Sequence, residues 1–298
     1  MSEQTWALAQ YTSAPASDAR LGVLRGDTVH ALPAGWPSST LELIEAGESW
    51  SERLRTLVVD DLDEVPGAAL LAPLTFPRKL LCAGANYYDH AAEMGTARPD
   101  PDESPFFFLK PPTTTIVGPG AVVTVSRLEE ADLDWEAELA VVIADRCRDL
   151  TAEEAPAHVF GYAVANDLSA RGFFPRPNAV FPPFAFDWLK HKAFDGSCPL
   201  GPGIVPAWQI PDPQQLPIWL SVNGESKQNS STADMVVGVY ELIAAVSRTL
   251  TLEPGDVILT GTPAGVGMPR KTFLHDGDVV VTGIEGLGRL ETTIAGAR

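Results

Sequence analysis

Residues 133–143 read L-D-W-E-A-E-L-A-V-V-I. The unbroken apolar run over 139–143 predicts a strand buried on both faces. Alternate side chains leave the same face of a strand, so Glu136 and Glu138 emerge side by side at the edge of a core. Two adjacent carboxylates repel each other there. A divalent cation between them removes the conflict, because hard cations take carboxylate oxygens as ligands. A second apolar segment, 159–165, runs into Asn166-Asp167. A carboxylate at that strand end completes an all-oxygen triad of Glu136, Glu138 and Asp167, with positions left for water or substrate. The same spacing also fits an edge strand whose glutamates simply face solvent, and spacing alone leaves both readings open.

Working outward, further strands are expected at 79–84, 105–109, 121–125, 136–144, 159–166, 218–222, 256–259 and 278–284. Helices are expected at 87–94, at 151–158 behind a Thr151/Glu154 capping box, and at 235–250. The 25 glycines and 26 prolines are spread without a repeat period, which suits many short strands joined by turns. Strands do not alternate regularly with helices, so the fold class is β-rich α+β, a sandwich or roll, and a doubly wound nucleotide fold is disfavoured. Ahead of this lie strands at 5–12 and 21–32, the latter folded about Arg25-Gly26-Asp27, and a helix over 40–57 capped at Thr40. The acidic, proline-bearing stretch 60–77 places a boundary near residue 75. Residues 1–75 then form a small N-terminal α+β domain and residues 76–298 the catalytic domain.

Composition narrows the partners. Asp and Glu number 39 against 21 Lys and Arg, a net charge of −18. That sign repels phosphate backbones and anionic lipid surfaces, so neither a nucleic-acid nor a membrane partner is expected. Cys82, Cys147 and Cys198 are odd in number and contain no C-x-x-C pair, which argues against a disulfide framework or zinc ribbon and for a reducing cytoplasm. The opening MSEQTWALAQYTSA has no basic segment before an apolar core, and no apolar run approaches a bilayer span; the expectation is a soluble, unprocessed chain. The phosphate-loop, dinucleotide, zincin and nucleophile-elbow signatures are all absent.

The second constellation is N-Y-Y-D-H-A-A-E-M-G at 86–95. His90 and Glu93 are three apart, hence neighbours on one helical face, where a carboxylate orients an imidazole and raises its basicity. This is a candidate water-activating pair; a surface or capping histidine is the plainer alternative.

In order along the chain, G-A-N-Y-Y-D-H-A-A-E-M-G (84–95), F-F-L-K-P (107–111), D-W-E-A-E-L-A-V-V-I (134–143), F-G-Y-A-V-A-N-D-L-S-A-R (160–171), K-A-F-D-G-S-C-P-L-G-P (192–202), V-N-G-E (222–225) and L-E-P-G-D-V-I-L-T-G-T-P-A-G-V-G (252–267) resemble the fumarylacetoacetate hydrolase family over about residues 79–290. The resemblance implies a mixed β-sandwich roll that binds Mg²⁺, or Mn²⁺ or Ca²⁺, usually as a homodimer, and acts on small 1,3-dicarbonyl or 2-oxo acids. It implies that Glu136, Glu138 and Asp167 are the metal ligands and that His90 and Glu93 form the lid dyad that activates water. Lys192 supports the substrate and a developing oxyanion, and Arg171 and Thr262 contact substrate. The expected reaction is hydrolytic C–C cleavage of an acylpyruvate-like or other β-diketo acid in carbon catabolism. Oxo-acid decarboxylation or enol–keto isomerisation is the alternative, and a non-catalytic metal- or ligand-binding protein is the rival of another class.

One departure from the family pattern bears on the reaction. Relatives often continue S-A-R-D-x-Q, whereas residues 169–174 read S-A-R-G-F-F, which sets Phe174 at the substrate-facing glutamine position. The segment 173–188, FFPRPNAVFPPFAFDW, reads either as an apolar pocket wall or dimer contact, or as a rigid surface loop. Lys110 either reaches the site or pairs with nearby acids. For His191, His30, His158 and His275 ordinary surface or satisfied roles are the default, and for Cys198 small-residue packing.

Overall fold

The computed structural model describes residues 5–14 and 17–297. The strand Ala137–Ile143 runs through the middle of the largest sheet, antiparallel to Val159–Asn166 on one side and Val257–Leu259 on the other. Beyond Val257–Leu259 the sheet continues through Leu80–Gly84 to Phe106–Lys110. Beyond Val159–Asn166 it continues through Cys198–Pro206 to Ala7–Thr12, Arg20–Arg25 and Thr28–Ala31. As the apolar run requires, both faces of the central strand are covered. Leu139, Val141 and Ile143 enter one core, and Ala140 and Val142 enter the other.

A second sheet of five strands, Glu225–Ser231, Pro217–Val222, Val279–Ile284, Gly288–Gly296 and Ala121–Val125 in spatial order, closes the first core. It contributes Ile218, Leu220, Val280, Ile284, Leu290 and Ile294. The helix Val239–Thr249 adds Val239, Ile243 and Val246, spaced three and four apart on one face. The second core lies under the helices Thr40–Glu45 and Glu48–Arg55, whose Leu43, Ile44 and Leu54 pack with Leu8, Leu200 and Ile204. The N-terminal strands thus extend the large sheet, joined at Leu8 and Ile204. The architecture is the expected strand-rich α+β fold of two packed sheets. Among the described residues no helix is long and apolar enough to cross a membrane.

Several expected elements differ. The Thr151/Glu154 capping box closes, with Glu154 accepting from the Thr151 N–H at 2.9 Å, but only a 3₁₀ turn, Ala155–His158, follows. Pro156 has no N–H to carry the helix on. The helix expected over 40–57 is two helices separated at Gly47, whose φ of +77° breaks the first; its cap is Ser39, not Thr40. The helix expected from 235 starts at Val239, because residues 236 and 237 are held in a bend by Asn86, whose carbonyl and side-chain oxygens accept their N–H groups at 2.8 and 2.9 Å. The longer strands not anticipated are Cys198–Pro206, masked by its prolines and glycines; Glu225–Ser231, a polar edge strand; and Gly288–Gly296.

Candidate active site and metal centre

Glu136 and Glu138 stand at the N-terminal end of the central strand, only 6% and 1% exposed, which disposes of the solvent-facing edge-strand reading. The antiparallel register sets Ala137 opposite Asn166 and Glu138 opposite Ala165, so the chain leaving the neighbouring strand delivers Asp167, 1% exposed, to the same spot. Two backbone ties fix this corner: Glu136 N–H donates to Asn166 Oδ1 at 2.9 Å, and Asp167 N–H donates to the Glu136 carbonyl at 2.9 Å. One carboxylate oxygen from each of Glu136, Glu138 and Asp167 lies within 4.8 Å of the other two. Leaving bare carboxylates this deep costs several kcal/mol each unless cations or hydrogen bonds offset them.

Three basic side chains supply part of that offset. Lys192 Nζ lies 2.6 Å from Glu136 Oε2 and 2.7 Å from Asp167 Oδ2. Lys110 Nζ lies 2.6 Å from Asp167 Oδ1 and donates to the Ser197 carbonyl and hydroxyl. Arg171 pairs with Glu136 Oε1 and with Asp134 Oδ2 at 3.0 Å. Asp134 is itself locked by the Gly267 and Met268 N–H groups at 2.6 and 3.1 Å. Burial opposes charge on Glu136, but Lys192 and Arg171 overcome it and hold this carboxyl far below the usual range. Burial likewise opposes charge on Lys192, and Asp167 and Glu136 more than compensate, so its pKa is raised.

Glu138 is the odd member. Among the described residues no lysine or arginine forms an ion pair with it, and its hydrogen bond comes from the Gly261 N–H at 2.7 Å. Burial, then the charges of Asp167 and Glu136, push its pKa well above the usual value. A buried triad of oxygen donors with one carboxylate lacking a cation is what a hard divalent ion relieves, and the three residues fit such an ion. The glycine at 261 is required for this contact: φ is +90°, and a Cβ would stand 2.8 Å from Asn86 Cβ.

His90 shares with this cluster a cavity of about 170 Å³ lined also by Phe108, Phe174, Trp188, His191 and Thr262, and Glu93 is bonded to His90 beside it. The helix Tyr88–Glu93 sets the pair one turn apart, with His90 Nδ1 2.9 Å from Glu93 Oε1. Glu93 accepts a second bond from the Gly265 N–H at 3.0 Å. Burial pushes the Glu93 pKa up, but His90 and the backbone donor outweigh it and leave it lowered. Gly265 has φ +112°, and a Cβ there would meet the Lys227 carbonyl at 2.1 Å, so this tether too depends on glycine. Gln228, from the second sheet, donates to Thr262 Oγ1 at 2.8 Å and fixes its position.

One wall is aromatic. Phe174 stacks on Phe186 at 4.7 Å between centroids and meets Trp188 edge-on at 5.0 Å, while Trp188 lies 5.1 Å from Phe108. The 173–188 segment therefore serves as a pocket wall at Phe174 and Trp188 and as exposed surface at Val180, Phe181 and Phe184. His191 corrects the expectation of an ordinary role. It is buried against Phe174, 4.4 Å between ring centroids, its Nδ1 has no partner, and burial with the Lys192 and Arg171 charges pushes its pKa down to about 2. Cys198 is packed away as expected, its thiol pushed up to about 12 by burial.

All nine candidate residues, His90, Glu93, Lys192, Arg171, Thr262, Phe174, Glu136, Glu138 and Asp167, thus meet at or beside one cavity. Four contributors escaped sequence reasoning. Lys110 was left without a role, Asp134 stood two residues before Glu136 on the same strand face with none assigned, and Gly261 and Gly265 act only through backbone N–H groups.

Comparison with known proteins identifies the family and the fold. The family model described as fumarylacetoacetate (FAA) hydrolase C-terminal matches residues 79–295. The mitochondrial oxaloacetate tautomerase fahd2 of Xenopus laevis is 39% identical over 297 residues, 96% of this chain and 89% of that protein. Among solved structures, a fumarylacetoacetate hydrolase from psychrophilic Exiguobacterium antarcticum superposes with a TM-score of 0.81 at 35% identity, covering 98% of this chain and 100% of that one. Maleylpyruvate hydrolase from Sphingobium sp. SYK-6, in complex with manganese(II) and pyruvate, does so with a TM-score of 0.75 at 29% identity and the same coverage. With the family model spanning most of its length and its acidic corner, dyad and glycine loop in place, the chain belongs to the fumarylacetoacetate hydrolase family.

Proposed function

We propose that this chain is a divalent-cation-dependent keto–enol tautomerase of a small 2-oxo dicarboxylic acid of the oxaloacetate type. The observation that carries the reading is a cavity of only about 170 Å³ lined by a buried carboxylate triad and by His90, whose Nδ1 is held by Glu93. That volume is below the range of drug-sized sites and suits an acid of a few carbons. The activity named for the Xenopus laevis relative is of this kind.

Glu136, Glu138 and Asp167 would hold the cation, Mg²⁺ in the first instance with Mn²⁺ or Ca²⁺ as alternatives. When bound there, it supplies Lewis-acid polarisation of the 2-oxo group and lowers the cost of an enolate. The chain's own residues then handle binding and the proton. Arg171 and Lys192 place positive charge beside the triad, where an acidic substrate gathers negative charge. With Nδ1 committed to Glu93, His90 presents Nε2 as the atom that takes a proton from C3 of the keto acid. The C–H electron pair becomes the C=C bond of the enolate, and the 2-oxo oxygen takes the charge and then a proton from solvent, while the imidazolium gives up the C3 proton to solvent and returns to its starting state. Glu93, kept ionised by His90 and Gly265, stabilises the imidazolium meanwhile.

Hydrolytic C–C cleavage of an acylpyruvate-like acid is the second reading, favoured by the same pair, which can polarise a water instead. It asks for hydrogen-bond donors around the attacked distal carbonyl, and the wall of Phe174, Trp188 and Phe108 offers no donor from its ring faces. The test follows enol absorbance while pyruvate, carbon dioxide and organic acids are quantified, with Mg²⁺ or Mn²⁺ and with chelator. Cation-dependent interconversion without cleavage, lost in His90→Ala, is expected. Stoichiometric acid release from acylpyruvates would establish the hydrolase and carbon dioxide release a decarboxylase. Cation binding with no turnover of either substrate class would leave a binding protein.

A further inference from the structure

At the far end of the central strand from the acidic cavity, the chain leaves the sheet through Ala144-Asp145-Arg146-Cys147 and returns through the turn Ala155–His158. Asp145, Cys147 and His158 each bring one donor atom to this corner, a carboxylate oxygen, a thiol sulfur and an imidazole nitrogen, all within 4.8 Å of one another. The backbone holds them there. Ala144 N–H donates to the His158 carbonyl at 2.8 Å, while Cys147 and Leu252 exchange two N–H to carbonyl bonds at 3.1 and 2.9 Å. His158 Nδ1 stands 2.6 Å from Asp145 Oδ1. Cys147 is buried, His158 half-buried and Asp145 exposed, so the cluster is lined on the protein side and open to solvent on the other.

From this arrangement we propose a second cation site, formed by Asp145, Cys147 and His158, for a borderline-soft divalent ion of the zinc type. The donor chemistry separates it from the catalytic triad. Three oxygens suit Mg²⁺ or Mn²⁺, whereas one sulfur, one nitrogen and one oxygen suit Zn²⁺ or Co²⁺ and are a poor set for Mg²⁺ or Ca²⁺. Three protein ligands leave a fourth tetrahedral position for water on the solvent side. Bonds of about 2.0–2.3 Å put tetrahedral ligand atoms about 3.5 Å apart, so closing on an ion shortens the widest separation by at most about 1.3 Å and opens the His158–Asp145 contact by about 1 Å. In that closure the ion replaces the direct His158–Asp145 contact, and the Cys147 S–H bond breaks, its proton passing to solvent and its electron pair to the metal. The bound ion joins the exit of the strand Ala137–Ile143 to the entry of Val159–Asn166 and clamps the intervening connection. The catalytic cavity plays no part in it.

The test uses the full chain, freed of metal and then saturated with Mg²⁺ so that the carboxylate triad is filled. Co²⁺ is titrated and the sulfur-to-cobalt charge-transfer absorption followed, since only a thiolate ligand produces it. A saturable 1:1 band, displaced by Zn²⁺ and accompanied by a rise in melting temperature, is expected. Cys147→Ser should abolish the band, and Asp145→Asn and His158→Ala should each weaken Co²⁺ binding at least tenfold. Glu136→Gln should leave the band intact. If Cys147→Ser fails to fold, the Asp145 and His158 variants, on more exposed side chains, decide the matter. No charge-transfer band in the unaltered protein, or an undiminished band in Cys147→Ser or in both Asp145→Asn and His158→Ala, would overturn the site.

Discussion

Replacing Glu138 by glutamine separates what a carboxylate does for the fold from what it does for a cation. Glutamine is nearly isosteric, and its amide oxygen can still accept from the Gly261 N–H. Burial and the charges of Asp167 and Glu136 disfavour charge on Glu138, so a neutral amide there should leave the stability within ~1 kcal/mol of the parent. Glu136→Gln is different, because Glu136 is ionised and paired with both Lys192 and Arg171. Breaking a buried pair of this kind costs ~3–5 kcal/mol, a large part of a total stability of about 5–15 kcal/mol. With a divalent cation the order reverses for Glu138. A ligand at one hundred times its Kd stabilises by ~2.7 kcal/mol. If losing one carboxylate weakens binding about a hundredfold, the top of the range for disturbing a metal ligand's support, the same concentration stabilises Glu138→Gln by only ~0.4 kcal/mol. At ~2–4 °C per kcal/mol the parent should gain about 5–11 °C and the variant about 1 °C. Thermal melts with and without Mn²⁺ read both numbers. A metal-free Glu138→Gln as unstable as Glu136→Gln, or a variant whose melting temperature rises with Mn²⁺ as far as the parent's, would refute the assignment of Glu138 as the uncompensated ligand.

Three further outcomes follow from the geometry. The folded-state pKa of Glu93 is lowered, so its stabilising contribution is complete above the unfolded value of about 4.3 and disappears as the pH falls through the folded value; the stability gap between parent and Glu93→Gln, ~1–3 kcal/mol near neutrality, should close in acid, as thermal melts across pH will read. Gly265→Ala forces a Cβ against the Lys227 carbonyl and pulls the N–H away from Glu93, so turnover should fall at least tenfold while Mn²⁺ binding, read by the melting shift, is kept; unchanged turnover would show that the tether is dispensable. Phe174→Gln places a hydrogen-bond donor in the aromatic wall, and the ratio of C–C cleavage to tautomerisation should rise at least tenfold, an effect within the ~2.7–4 kcal/mol that one oxyanion donor supplies; an unaltered product ratio would remove Phe174 from reaction control.

The acidic corner was legible because its logic is local. Glu136 and Glu138 share a strand face by spacing, and Asp167 follows an apolar strand that had to be a neighbour. What brought Lys110 to Asp167 was not local: Phe106–Lys110 reaches the site only through the sheet order, with three strands between it and Val159–Asn166. Gly261 and Gly265 act through N–H groups that every non-proline residue has, so only their positive φ and crowded surroundings mark them. The strand Cys198–Pro206 was hidden because propensity reads C-P-L-G-P-G-I-V-P as a loop, whereas burial on both sides in the sheet overrides it. His191 looked ordinary because burial and the neighbouring Lys192 and Arg171, which define its state, are tertiary facts.

The central claim is that His90, oriented by Glu93, moves a proton at C3 of a 2-oxo acid held beside the carboxylate triad. The most direct measurement is C3 hydrogen exchange of oxaloacetate in D₂O, followed by proton NMR against the uncatalysed rate. Exchange is expected to require Mg²⁺ or Mn²⁺, to stop with chelator, to run without release of pyruvate, and to fall to background in His90→Ala. Exchange that persists in His90→Ala or in the chelated enzyme, or substrate loss by cleavage without C3 exchange, would contradict that claim.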